Sequence, residues 1–422
     1  MKSVSQLDLE VGMHDYASEA PPCGAQAKAS EDDFRVEEVV SLDRLSSEAK
    51  PGLYPVYRVE KRSIDTMHME EELAAALGSK VSYGGLKDKK AVAIQYVTPT
   101  SARSRKPDEV FRPDFSAKLV GYLPAPITRG SILGNRFDVM LRRCCPGIRE
   151  SVSVAYELAR RGKLPNFFGY QRFGVPGIGT HRIGRAMVKR RFEEVVELML
   201  LTPKVNDDDG TSAARDAMAK GEFRRGAQLL PPGQDLERKV ALKLAEAPED
   251  SIGAIRGVPV KMRRLYVQAY QSYIFNRTLS LAVEGAIDIS GAQPGDNWSE
   301  LVADGALDPK VRGSKETPAD GALPVVQLAG FAYRDYGSRF DALTSKVMGD
   351  EGVAARDFYI KEMQEASAEG GFRPAHMLVS KPAIEVTGAD ASLSFTLARG
   401  QYATVLLREI IKPHDPRESG LA

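Results

Sequence analysis

The sequence predicts a mixed α/β (α+β) protein whose strand-patterned ends form one unit around a helical insertion. Three observations carry this. Apolar and polar residues partly alternate with the period of a strand in FRVEEVV (34–40) and YPVYRVE (54–60), both containing β-branched residues. From residue 175 to about 371 the texture becomes helical, charged and glycine-punctuated, as in NDDDG and GEFRRG. After Phe372 the alternation returns in SLSFTLARGQYATVLLREI, where Leu393, Phe395 and Leu397 share one face before Gly400 turns the chain. The expected boundaries are 1–174 with 372–422 for a discontinuous domain and 175–371 for the insertion.

The elements of the first part follow in order. Asp65 or Thr66 caps a helix with Met69, Leu73, Ala76 and Leu77 on one face, and Gly78 is placed to end it. Val81–Tyr83 re-enters as a short extended piece, Gly84 and Gly85 turn the chain, and 92–97 leaves as another strand. Asp88 then sits in a tight loop between two strands, which holds a side chain rigidly while keeping it reachable. A polar loop at 99–113 precedes a strand in which Phe137, Val139 and Leu141 alternate, and a helix follows from Glu150. There is no internal repeat, no GxGxxG and no Walker loop.

With 422 residues and 43% hydrophobic content, the chain is long enough for two ordinary domains and a sizeable core. MKSVSQLDLEVG lacks a basic start followed by an apolar run, and no stretch approaches the apolar length of a membrane span, so a cytoplasmic location is expected. Three cysteines, Cys23, Cys144 and Cys145, cannot build a disulfide framework, and no Cys or His cluster has metal-ligand spacing. Reduced thiols and no structural metal are expected.

The net charge of +1 hides an uneven distribution. Residues 158–192 contain nine Lys or Arg and no acid, and 256–273 form a second acid-poor run. Basic and aromatic residues interleave there, which suits RNA phosphates and bases but also describes two solvated helix faces. Lys87, Lys89 and Lys90 flank Asp88; neighbours in a loop point in different directions, so they are candidates for RNA phosphates, although KDKK alone also reads as a solvated hairpin tip. In PNFFGYQRFG (165–174), Phe167 and Phe168 read as packing support, with Arg172 either paired internally or aimed at phosphate. Asn135 alone is equally a turn residue before the next strand.

Taken together and in this order, KASEDDFRVEE, GGLKDKKAVAIQ, GNRFDVMLR, PNFFGYQRFG, YQSYIFN and ARGQYATVLLRE resemble the successive motifs of the TruD family of tRNA pseudouridine synthases, in an archaeal-like form. The resemblance covers most of 28–173 and 372–411, with one helical motif inside the insertion; DGALPVVQLAGFAY matches the family only loosely. It implies a pseudouridine synthase catalytic fold, with a mixed, largely antiparallel sheet flanked by helices, interrupted by an α/β insertion. It also implies that Asp88 is the nucleophile and Lys28 its ion partner. Phe34, Asn135 and Tyr402 match positions that contact the target nucleotide, and Phe137 a neighbouring aromatic. The last motif carries Phe or Tyr among relatives, so the Tyr402 hydroxyl is not indispensable to the chemistry.

The implied reaction breaks the bond from C1′ to N1 of uridine, rotates the uracil and joins C1′ to C5. It needs no redox, phosphate or acyl carrier, so no cofactor is expected. As the glycosidic bond breaks the sugar becomes electron-poor, and an ionised carboxylate can stabilise or bond to it. Water must be kept away from that intermediate. None of the five histidines is needed as a base. From the family, the expected target is uridine at position 13 in the D arm of tRNA, acted on by a monomer away from any membrane; other RNAs, or RNA binding without catalysis, are the alternatives.

Overall fold

The computed structural model describes residues 1–422 except 86, 89–90, 102–106, 175–178, 205–206, 302–307, 309 and 314. Among the described residues there are twelve strands: β1 (Phe34–Val40), β2 (Tyr54–Lys61), β3 (Val81–Tyr83), β4 (Val92–Pro99), β5 (Glu109–Phe111), β6 (Phe115–Leu123), β7 (Ile132–Leu141), β8 (Trp298–Ser299), β9 (Leu323–Leu328), β10 (Gly371–Pro374), β11 (Val379–Thr387) and β12 (Asp390–Ala398). Nine build one sheet in the order β11-β12-β7-β1-β4-β2-β6-β5, with β3 also paired to β4. Among the described residues every pairing in this sheet is antiparallel except β1 with β4, which run parallel with Arg35 opposite Val92. The mixed, largely antiparallel sheet expected from the resemblance is therefore present, and strands from both ends of the sequence lie in it.

Alternation explains which residues face the core. Phe34 and Val36 on β1 lie opposite Val139 and Phe137 on β7, and Phe137 lies opposite Phe395 on β12, so one face carries an apolar row across three strands. A helix at Thr66–Leu77, capped by Asp65 and ended by Gly78 at φ +59°, covers Tyr57, Val59, Val97 and Phe115. The next helix, Ile148–Arg160, starts two residues before the expected Glu150. It packs with the C-terminal helix Ala403–Ile411 and with β11.

The largest core draws on β1, β7, β12 and both chain ends, and also on Ala269, Phe275 and Leu279 of a 25-residue helix, Val260–Glu284. A second core lies wholly between Ile183 and Ala368. The small sheet β10-β9-β8 crosses the expected edge of the insertion, because Gly371–Pro374 pairs with Leu323–Leu328. Asn276, from YQSYIFN, joins the parts: its amide accepts from the Phe168 N–H at 2.8 Å and donates to the carbonyls of Phe168 and Val11. Among the described residues no helix is long and apolar enough to cross a membrane.

The chain ends are fastened by Arg408, 1% exposed, which meets Asp8 at 2.7 Å and donates to the carbonyls of Met13 and Asp15. Tyr170 and Ser3 also donate to Asp8, at 2.6 and 2.7 Å. Removing one member of such a pair leaves an uncompensated buried charge. Asp8→Ala is expected to lose about 3–5 kcal/mol of unfolding free energy, measured by urea titration.

Candidate active site

The parallel pairing of β1 with β4 sets the two segments that lead into these strands side by side. Lys28 lies six residues before Phe34, and Asp88 four before Val92. Their side chains meet with Nζ 3.0 Å from Oδ2. Asp88 keeps 44% of its side chain exposed whereas Lys28 keeps 14%, so the carboxylate is reachable and its partner shielded. Lys28 stands at φ +53°, an uncommon backbone region for a side chain of this kind, and its Nζ also lies 4.4 Å from the centre of the Phe34 ring. Two contacts hold this backbone. Ala27 donates to the Ser419 carbonyl at 2.9 Å, and Ser30 with Asp33 closes a reciprocal cap on the turn Glu31–Asp33. Burial opposes ionisation of Asp33, but bonds from Arg142 and Ser30 outweigh it and hold its carboxyl below the usual range.

Asp88 opens onto a cleft of about 470 Å³ whose lining includes Phe34, Lys87, Asn135, Phe137, Arg172 and Tyr402. Asn135 and Phe137 are two apart on β7 and share a face. Phe34 meets Phe137 edge-on at 5.9 Å, and Phe137 stacks on Phe395 at 5.4 Å. The buried Oδ1 of Asn135 has no hydrogen-bond partner among the described residues. An acceptor left in that state is unfavourable by about 1–3 kcal/mol unless a donor arrives.

The opposite wall is built by PNFFGYQRFG and the C-terminal helix. Tyr402 precedes the helix Ala403–Ile411, with its ring 6.2 Å from Phe168. Gly169 permits this approach, since a Cβ there would lie 2.9 Å from Tyr402 Cδ1 and 2.8 Å from Thr404 Oγ1. Behind them lies a residue the sequence reading missed. Arg373 is buried 4.0 Å from the centre of the Phe168 ring and donates to the carbonyls of Gly400, Asn166 and Phe167. Burial, with carbonyls and rings rather than a carboxylate around it, pulls its pKa down to about 10. The motif FRP containing it carries no local sign of this role.

The structure brings Lys28, Phe34, Asp88, Asn135, Phe137 and Tyr402 to one place. It places the phosphate candidates less uniformly. Lys87 is a correction: its ammonium pairs with the fully buried Glu38, which also accepts from the Tyr96 N–H, so its charge is neutralised inside the protein. Lys89 and Lys90 lie outside the described residues. Arg172 lines the cleft while donating to Ser272 and Gln268 at 3.1 Å each, two neutral acceptors that leave its charge unbalanced. Much of the wider basic texture is absorbed internally. Arg160 and Arg161 pair with Glu157, Arg185 with Glu351, Arg190 with Asp357 and Glu362, and Arg263 with Glu365. His181 is a packing residue between Phe173 and Tyr273, with burial pushing its pKa down to about 4.

A family model described as tRNA pseudouridine synthase D (TruD) matches residues 10–410. A Pyrobaculum arsenaticum protein described as probable tRNA pseudouridine synthase D is 32% identical over 100% of both chains. An Archaeoglobus fulgidus protein of the same description is 30% identical, over 96% of this chain and 99% of its own. A crystal structure described as that of the putative tRNA pseudouridine synthase D (TruD) from Methanosarcina mazei matches with a TM-score of 0.79 at 26% identity, covering 99% of this chain and 100% of that one.

The contact at Gly169 can be tested directly. Gly169→Ala is expected to push the Tyr402 ring away from the loop, visible in a crystal structure, and to cost about 1–3 kcal/mol in denaturant titration as an overpacked site does.

Proposed function

The chain belongs to the TruD family of tRNA pseudouridine synthases, enzymes that isomerise uridine to pseudouridine, and from that premise we propose that Asp88 is its nucleophile and uridine 13 in the D arm of tRNA its target. The observation that supports the catalytic role best is the reachable Asp88 carboxylate, bonded to a shielded ammonium at the edge of a cleft walled by aromatic rings.

The target uridine leaves the stack at a cost of a few kcal/mol. Phe34 and Tyr402 border the extruded base, and aromatic stacking returns about 1–3 kcal/mol per contact. The unpartnered Oδ1 of Asn135 suits the N3–H of uracil, and Phe137 shapes the floor beneath it. Asp88, paired with Lys28, then stabilises or bonds to the sugar as the bond from C1′ to N1 breaks. When C1′ joins C5, that carbon releases its proton and N1 ends protonated, so the isomerisation balances without an external reactant. Enclosure by the rings keeps water from the intermediate.

In this reading, 1–174 with 372–422 is the catalytic domain and 175–371 the TRUD-type insertion, with the helix Val260–Glu284 shared between their cores. Arg172 is a phosphate contact in this reading, since among the described residues no carboxylate pairs with it. The enzyme acts as a cytoplasmic monomer.

The test is pseudouridine mapping on an unmodified tRNA transcript without added cofactor. Wild type should modify position 13, and Asp88→Asn should lose activity by on the order of 10³-fold or more, the scale seen when a nucleophile is removed. Asn135→Leu should lower kcat/KM about tenfold, the value of one hydrogen bond between neutral groups. Modification by Asp88→Asn at the wild-type rate would remove the carboxylate from the mechanism, and modification elsewhere would overturn the assignment of position.

A further inference from the structure

Lys61 ends β2 with its side chain fully buried. Tyr57, Val59 and Lys61 recur with a period of two, and the first two fill the core beneath the helix Thr66–Leu77. The pattern asks for an apolar residue at this position, and an ammonium stands there. Its Nζ donates to the carbonyls of Ile64 and Asp88, each at 2.8 Å, with the Lys87 carbonyl at 3.5 Å. Among the described residues it has no ion pair with a carboxylate, an arrangement that is unfavourable for a buried charge.

The placement follows from strand register. Lys61 lies opposite Ala93 at the start of β4, so the end of β2 reaches the loop that precedes β4. Other buried groups hold the same loop. Thr66 Oγ1 accepts from the Lys87 N–H at 3.0 Å, and Gln95 donates to the Gly85 carbonyl at 2.7 Å. Lys61 alone among these three bonds the backbone of Asp88 itself. An ammonium has three donors to match three carbonyls, whereas a neutral amine has two and a thioether none.

We propose that Lys61 is a positioning residue for the isomerisation, fixing the backbone on both sides of Asp88 and placing a second cation behind its carboxylate. This rests on the reading of Asp88 as the nucleophile. A reacting group displaced by about 1 Å can lose on the order of 10²-fold in rate, so a loop without this anchor would turn over slowly even with the substrate bound. The charged groups around Lys61 are Asp88, Asp65 and Glu31, which favour its protonation, and Lys87, which opposes it; burial outweighs them and brings its pKa down to about 8. The anchor is therefore complete below that pH, and above it loses its charge and one of its three donors.

The experiment is single-turnover pseudouridine formation on a tRNA transcript across the pH range around 8, with tRNA affinity and thermal melting measured in parallel, for wild type, Lys61→Met and Asp88→Ala. The expected result is a Lys61→Met protein that melts cooperatively and binds tRNA as wild type does, but reacts on the order of 10²-fold more slowly. The wild-type rate should fall as pH rises through about 8, and Lys61→Met should lack that fall although the uracil and Asp88 are unaltered. Turnover by folded Lys61→Met at the wild-type rate overturns the proposal. So does a wild-type rate that does not change across pH 8, which decides the matter if the variant fails to fold. Asp88→Ala separates the two levels: retained activity there sinks the nucleophile itself, whereas its loss beside a normal Lys61→Met sinks only the role of Lys61.

Discussion

The parallel hydrogen bonding of β1 with β4 is the constraint on which the site depends. Antiparallel neighbours present opposite ends to each other, so the segments entering them lie a strand length apart. Parallel neighbours present the same ends. Here that places the turn bearing Lys28 beside the loop bearing Asp88, across 60 residues of sequence. β2, antiparallel to β4, contributes its final residue at the same edge, which is how Lys61 arrives beneath the loop.

A second constraint acts through the chain ends. β12 and the helix Ala403–Ile411 must return to a sheet begun by Phe34, and the pairing of Arg408 with Asp8 ties that helix to the N-terminal segment. Arg408 sits less than two turns beyond Tyr402, so the interaction closing the fold also orients the aromatic wall of the cleft. Tyr170, which donates to Asp8, carries the order into PNFFGYQRFG, and Asn276 extends it to the helix Val260–Glu284. The long helix therefore packs into the core around β1, β7 and β12 as well as into the one between Ile183 and Ala368.

Two buried cations stand behind the residues that line the cleft. Lys61 supports the loop of Asp88 and Arg373 the turn before Tyr402, and both are satisfied by backbone carbonyls. Such a cation fixes several carbonyls at once, whereas a carboxylate partner would hold one side chain and neutralise the charge. The contrast with the basic surface is instructive. Within 158–192, Arg160, Arg161, Arg185 and Arg190 look unopposed because their partners come from Glu157, just upstream, and from 351–362, far downstream. A window along the chain cannot register neutralisation from a remote segment.

Strands such as β1 and β12 were legible in the sequence, because alternation in FRVEEVV and in SLSFTLA is a local property of the chain, whereas β6 and β11 were not, and β5 lies within the segment read as a polar loop. The sequence also made Asp88, Lys28, Phe34, Asn135, Phe137 and Tyr402 legible as candidates, through motif order and the tight loop around the acid. Only the tertiary structure decided which charges are available. Lys87 and Lys61 are both lysines close to the same loop, yet one is neutralised by Glu38 and the other holds carbonyls. The physical reason is that a charge is defined by what surrounds it, and those surroundings come from strand register and from helices far away in sequence. Arg373 shows the same limit, since the rings and carbonyls that give it meaning lie at 166–168, 275 and 400–402.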